Sequence, residues 1–355
     1  LVIDLLSPEY YQRYLAHPQQ LKLDIEEAIK TQDGVLTVFI DEVQKIPALM
    51  DVVHLLYADY EERVRFLLSG SSARKLKRGG ADMMAGRLLT LNLYPFCFSE
   101  YEQPLNDYLL KGSLPVVVSH SNSASRILRS YVTTYLKEEV LEESLVRKID
   151  VFSRFLELAA QYHGKIINYS ELASVLKTSS HSVKSYFDIL QDTLIGFIIP
   201  GWNESTKKQL RLAPKFYLFD NGVASALRGE LQITLTEHSS RFGDLFEAMV
   251  MQEMLRYNEY FQLDCKFSYW RTNNGQEVDL LVSRGFGKPL AAIEIKSGSE
   301  VASKKLKGVF SFRQDYPEVP VYCFCQTPLP YTEDGITFLP WQEGLHRFRD
   351  GGLFE

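Results

Sequence analysis

The sequence predicts a multidomain protein of mixed α/β and α+β class, on three observations. From Leu1 to Leu68 short apolar runs alternate with stretches of helical spacing, the pattern of a parallel sheet. Residues 151–215 read as successive amphipathic helices followed by a hairpin. Residues 216–355 follow the order α, β, β, β, α, β and carry Glu247, Asp279, Glu294 and Lys296 among otherwise apolar elements. The expected divisions are a parallel-sheet core over 1–110, a helical connector over 111–150, a helix-turn-helix module over 151–215 and an α+β domain over 216–355.

Composition narrows the class further. The 355 residues are 45% hydrophobic and 24% charged, ordinary for a folded chain. No run approaches the roughly 18 apolar residues of a membrane span, and no basic-then-apolar leader opens the chain, so the expectation is a cytoplasmic protein with no membrane partner. Four cysteines are too few for a disulfide scaffold, and Cys323-Phe324-Cys325 supplies two sulfurs where structural zinc takes four ligands. A net charge of −6 excludes a wholly basic nucleic-acid coat, so any DNA contact must come from a local patch.

Leu1 to Leu5 reads as a buried strand that Pro8 closes, and its abruptness suggests a chain that begins inside a domain. Leu21, Ile25, Ala28 and Ile29 fall at helical spacing, and Asp33-Gly34 turns the chain into the strand Val35–Ile40. A helix follows Pro47 with Leu49, Val52, Val53 and Leu56 on one face. The strand Val64–Leu68 then ends in Ser69-Gly70-Ser71-Ser72, whose small residues leave backbone amides open to a ligand. Parallel sheets carry function at the carboxyl ends of their strands, which is where Asp41-Glu42 and Ser69 fall. An acid pair there suits nucleotide hydrolysis, Asp41 holding Mg²⁺ through water and Glu42 orienting the attacking water. It also suits a plain cap on the following helix.

In the middle third, Phe152, Phe155, Leu156 and Ala159 mark one helix, Ser170 is the expected cap of a second, and Ser179 or Ser180 caps a third. The outward face of the third shows Ser182, Lys184, Ser185 and Asp188, short polar groups fit for a major groove. Between Gly164 and Lys215 seven basic residues stand against four acidic ones, and Lys207-Lys208 in the hairpin would contact phosphate. The same charges serve equally to solvate a surface that docks protein, so double-stranded DNA and a protein partner both remain open.

The last third starts with a helix over Gly243–Arg256 and continues with strands at Lys266–Arg271, Glu277–Val282 and Leu290–Lys296, joined by turns at Asn273-Asn274-Gly275 and Arg284 to Gly287. A helix near Lys304–Gln314 and a strand at Val319–Cys325 complete it. Alternation puts Glu294 and Lys296 on one face, and Asp279, fifteen positions earlier, fits the neighbouring strand. Two carboxylates and the Ile295 carbonyl are hard donors for Mg²⁺; Lys296 can offset charge on a phosphate, and Glu247 can assist from the helix. His163, His181 and His238 stand alone in the sequence and read as structural or solvent-facing.

Three resemblances follow. Glu247 with Asp279 and Glu294-Ile295-Lys296 on αβββαβ resembles the PD-(D/E)XK nuclease fold, and the middle third resembles a winged helix. The blocks Ile40 to Pro47, Leu68 to Leu76, Ala85-Gly86-Arg87, Pro95 to Glu100 and Ala213 to Gly222 resemble bacterial and archaeal AAA-type ATPases that carry a C-terminal domain of unknown function. That resemblance implies a P-loop parallel sheet that binds ATP with Mg²⁺, Asp41 and Glu42 as Walker B residues and Ser69 in a sensor position. It further implies Arg87 as an arginine finger, which would act across a subunit contact in a homo-oligomer or from a neighbouring domain. The chain departs from the pattern in one respect: no Gly-x-x-x-x-Gly-Lys-[Ser/Thr] loop occurs, since Gly164-Lys165 precedes Ile166 and Gly287-Lys288 precedes Pro289. Loss of the first strand and its phosphate loop from the N-terminus is the simplest expectation, and with it poor ATP binding by this chain.

Overall fold

The computed structural model describes residues 1–70, 88–136, 149–205, 209, 212–285 and 287–354. They form two compact units, the first drawing its described residues from Leu1–Leu91 and the second from Asn92–Glu138 and Val146–Glu355.

In the first unit three parallel strands, β1 (Val2–Asp4), β2 (Leu36–Asp41) and β3 (Val64–Leu68), lie in the order β1-β2-β3. Ile3 pairs with Ile40 and Val38 with Phe66, so the ladder delivers Asp41 and Ser69 to the same end of the sheet. Helices α1 (Pro8–Ala16) and α2 (Gln20–Thr31) connect β1 to β2, and α3 (Ala48–Tyr60) connects β2 to β3. Leu21, Ile25, Leu49, Val53 and Leu56 are buried with Ile3, Val38 and Ile40 in one core. Pro8, read as a strand terminator, instead begins α1, because its fixed φ and missing N–H suit the first turn of a helix.

The second unit begins at Asn92, so residues 92–110 do not belong to the parallel-sheet core as expected. The physical reason is a buried polar anchor. Glu253 accepts the Phe98 N–H at 2.8 Å and the Tyr108 hydroxyl, while Arg256 donates to Phe96 O, Tyr108 Oη and Ser113 Oγ at 2.9–3.0 Å. Helix α4 (Leu105–Lys111), inside this segment, packs on a helix over Asn221–Leu227.

After short helices at Pro115–Ser119 and Ala124–Ser130, the middle third holds α5 (Ile149–Gln161), α6 (Tyr169–Leu176) and α7 (Ser180–Asp192). Asn168, not Ser170, caps α6 by accepting the Glu171 N–H, and Ser179 caps α7 by accepting from Ser182 N. Strands β4 (Lys165–Ile166), β5 (Gly196–Ile199) and β6 (Lys215–Leu218) make an antiparallel sheet in the order β4-β6-β5. The expected boundary between 215 and 216 therefore cuts through a strand that is paired on both sides, Ile166 and Ile199 each standing opposite Lys215.

His163 sits behind β6. Its Nδ1 accepts the Leu218 N–H at 2.9 Å, which leaves Nε2–H to donate to Asn221 Oδ1 at 3.0 Å, so both ring nitrogens are used by the neutral form. Burial pushes its pKa down to about 3 from 6.5. A base whose folded value lies below its unfolded value contributes stability above pH 6.5 that is lost as the pH falls toward 3. The penalty of His163→Gln, read from urea unfolding, is expected to shrink by about 2 kcal/mol between pH 7 and pH 5, because only the wild type binds an extra proton on unfolding there.

The six-stranded sheet has the order β11-β12-β10-β9-β8-β7, with β7 (Lys266–Arg271), β8 (Glu277–Ser283), β9 (Ala291–Ile295), β10 (Val321–Cys325), β11 (Tyr331–Glu333) and β12 (Ile336–Pro340). The long helix α8 (Ser240–Tyr260) buries Leu245, Phe246, Met249 and Val250 in the same core as Leu280, Ile293 and Phe324. Helix α9 (Lys307–Asp315) packs on β8, and α10 (Trp341–Asp350) closes the chain. At the free edge, Trp202 N donates to Tyr269 O at 2.7 Å, Tyr269 N to Pro200 O at 3.0 Å and Tyr269 Oη to Ala213 O at 2.6 Å. The end of β5 is thereby stitched to β7. All four cysteines are buried and free, and no described helix is long and apolar enough to cross a membrane.

Candidate active site

The αβββαβ segment brings Glu247, Asp279, Glu294 and Lys296 together. Antiparallel pairing of Leu280 with Ile293 sets Asp279 beside Glu294, one step further along the ladder. The Asp279 side chain takes the place of a ladder acceptor: its Oδ2 receives the Ile295 N–H at 2.8 Å. Lys296 Nζ lies 2.6 Å from Glu294 Oε1 and 3.4 Å from Asp279 Oδ2, and donates to Ile295 O at 3.1 Å. Glu247 reaches in from α8, where its Oε1 accepts from Tyr217 Oη at 2.7 Å.

Three further members escaped sequence reading. Lys215 Nζ lies 3.1 Å from Glu247 Oε1, 2.5 Å from Glu277 Oε1 and 3.9 Å from Asp279 Oδ1. Tyr217 and Glu277 complete the group. The signal was present as two alternations, Lys215-x-Tyr217 on β6 and Glu277-x-Asp279 on β8, each a polar pair inside an apolar run.

These groups are buried together, with side-chain exposures of 4% for Lys215, 9% for Asp279 and 5% for Glu294. Burial lifts the Glu294 carboxyl, and the Asp279 charge adds to it, to about 8. Burial lifts Glu247 as well, against the pull of Lys215. At Asp279 burial is outweighed by Lys296, Lys215 and the Ile295 amide, which hold its carboxyl below the usual range. Burial works against charge on Lys296, but Asp279 and Glu294 raise it above its ordinary value, so it is an ammonium at neutral pH and no general base. The arrangement separates an ionised Asp279 from a proton-holding Glu294.

The donors suit a hard divalent cation. Glu294 Oε2 is buried with no hydrogen-bond partner among the described residues, and Asp279 Oδ1 points to the same cluster at 3.9 Å from Lys215. Among the described residues no three His, Cys, Asp or Glu side chains form a ready metal-ligand group; Mg²⁺ commonly takes only one or two carboxylates and completes its shell with water or phosphate.

At the end of the parallel sheet, Ser69 Oγ donates to Asp41 Oδ1 and accepts the Glu42 N–H at 3.2 Å. Glu42 has φ 57°, and Gln44 Nε2 donates to its Oε2 at 2.5 Å. The three sequence-predicted residues therefore meet, and Arg87 lies outside the described residues. The expected major-groove set is divided. Lys184 and Ser185 are exposed, Ser182 is engaged with Ser179 at the start of α7, and Lys207 and Lys208 lie outside the described residues. Lys184 lines a cleft of about 1140 Å³ with Asp188, Trp202, Lys266 and Lys288, apart from the carboxylate cluster.

Compared with known families, residues 1–102 match an AAA domain. Asp41, Glu42 and Ser69 fall within this matched stretch. Residues 102–234 match a domain of unknown function (DUF8612) and residues 242–343 another (DUF4143). Glu247, Asp279, Glu294 and Lys296 lie in the latter, whereas Lys215 and Tyr217 come from the former. Over 278 residues the chain is 29% identical to uncharacterized proteins of Mycobacterium tuberculosis and Mycobacterium bovis, covering 77% of this chain and 60% of each relative. It is 20% identical over 275 residues to an uncharacterized protein of Haemophilus influenzae, covering 72% of this chain and 66% of that relative. The chain thus spans about 60% of the length of the mycobacterial relatives it matches. No solved structure matches it.

Proposed function

We propose that the chain is part of an AAA-type ATPase whose C-terminal half binds double-stranded DNA and cleaves it with a divalent metal ion. The observation that carries this reading is the convergence of Asp279, Glu294, Lys296 and Glu247 from β8, β9, the end of β9 and α8 into one buried cluster with an unpartnered carboxylate oxygen. Asp279 and Glu294 would hold Mg²⁺, which when bound supplies Lewis-acid activation of a phosphodiester and its attacking water. The Lys296 ammonium would face the developing charge on phosphate. Helices α5–α7 with the β5–β6 hairpin are read as a winged helix, Lys184 and Ser185 contacting the duplex from α7.

On the AAA side, Asp41 would hold the magnesium of Mg-ATP and Glu42 would orient water, with Ser69 fixing both acids. The acid pair alone cannot cradle a triphosphate, and this sequence has no phosphate loop, so hydrolysis is proposed for the whole protein, as is assembly of subunits that would give Arg87 a partner site.

A second reading, in which the domain grips DNA or docks a protein without cutting, is favoured by one observation: Glu247, Glu277, Asp279 and Glu294 all already face a lysine. One assay separates the two. With Mg²⁺ or Mn²⁺ and duplex DNA, the wild type is expected to cut, and Asp279→Asn and Lys296→Ala each to lose about 100-fold or more in rate. No cutting, or cutting that survives both changes, removes the nuclease reading and leaves the docking one.

A further inference from the structure

Of the two lysines in the cluster, Lys215 is the one that the six-stranded sheet does not supply. It belongs to β6, is fixed by pairing to β4 and β5, and lies in the family domain that precedes the one holding the carboxylates. Its ammonium stands among Glu247, Glu277 and Asp279 at 3.1, 2.5 and 3.9 Å. Three carboxylates thus face one buried ammonium, which holds oxygens that a second metal ion would need. On the far side of Asp279, Glu294 Oε2 is buried and unpartnered among the described residues.

Charge counting gives the consequence. Four carboxylates, Glu247, Glu277, Asp279 and Glu294, face two ammonium groups, Lys215 and Lys296. Once a bound cation displaces the Glu294 proton, the group has two negative charges in surplus, which is the charge of one divalent cation. Two such cations would leave it two charges positive and would require oxygens that Lys215 already occupies; without Lys215 the surplus is three, which two cations exceed by only one while those oxygens are freed. Buried unbalanced charge is strongly unfavourable, so the count is set by the side chains present.

We propose that Lys215 stands permanently in a second cation position, so that the site takes a single divalent ion between Asp279 and Glu294. Lys215 is a positioning residue: it acts through Glu247, Glu277 and Asp279. The inference rests on the metal-site reading above. It also assigns a purpose to the close seam between the hairpin and the six-stranded sheet, since the ammonium is delivered by one and used by the other.

The test is a count of bound Mn²⁺ per full chain, from calorimetry and from the loss of the free-ion electron paramagnetic resonance signal. All proteins carry Asp41→Asn, so that the AAA acid contributes no ion. One ion is expected for the background protein, one for Lys215→Arg and two for Lys215→Met. If Lys215→Met does not fold, Lys215→Gln reads the same count. No bound Mn²⁺ in the background protein removes the metal-site reading itself. One ion in both the background and the methionine or glutamine variant overturns the inference while leaving that reading intact. Two ions in the background protein overturn the inference whatever the variants do.

Discussion

Arg256→Met should lower the unfolding free energy by roughly 3–5 kcal/mol, the cost of breaking a buried ion pair by removing one partner. Arg256 is 1% exposed. The two Nη1 hydrogens are shared among Glu253 Oε1, Tyr108 Oη, Ser113 Oγ and Phe96 O, all at 2.9–3.0 Å, and Nη2 donates to Phe219 O at 2.9 Å. Methionine restores the volume of the stem and none of the donors. Glu253, 0% exposed, would keep only the Phe98 N–H and the Tyr108 hydroxyl. The segment holding Phe96, Tyr108 and Ser113 would then lose its attachment to α8, and the loss is cooperative because these bonds share one guanidinium. Urea unfolding followed by circular dichroism checks it: the midpoint should fall with the m-value unchanged if only stability is affected. A shift under 1 kcal/mol would show that the anchor contributes little.

Gly308→Ala is expected to cost at least the ~1–3 kcal/mol typical of overpacking, and to reach the active site as well. A Cβ at Gly308 would come within 1.8 Å of Glu277 O and 2.7 Å of Glu277 N. The obstruction is backbone, so no rotamer change relieves it; α9 or β8 must move. Glu277 is a partner of Lys215, and Asp279 follows two residues along the same strand. Thermal unfolding should show the lost stability, and Mn²⁺ affinity should weaken in the fraction still folded. Gly285→Ala is the comparison, because a Cβ there meets nothing within 4 Å although its φ of 68° carries some backbone strain.

Of the six strands of the last sheet, β7, β8 and β9 were legible almost residue for residue, because they combine apolar runs with turn residues at their ends, whereas β11 and β12 were not read. Asp279, Glu294 and Lys296 were legible for the same reason: charges on a buried strand stand out. Lys215 was not, because a single lysine among seven basic residues looks like surface charge until the fold shows what it faces. The cap of α6 was misplaced by two residues since Asn168 and Ser170 are both good caps and only the backbone decides between them. The break between 215 and 216 failed on different grounds. Periodicity reports local structure, and nothing local reveals that β6 pairs with both β4 and β5.

The hydrogen bonds between Pro200–Trp202 and Tyr269 make the hairpin and the six-stranded sheet parts of one seam. A duplex held by α7 would meet the carboxylates at a fixed offset, set by the protein as by the distance between two marks on a ruler. Under the proposed cutting activity, any cut would then fall a constant number of base pairs from the stretch of duplex that α7 contacts.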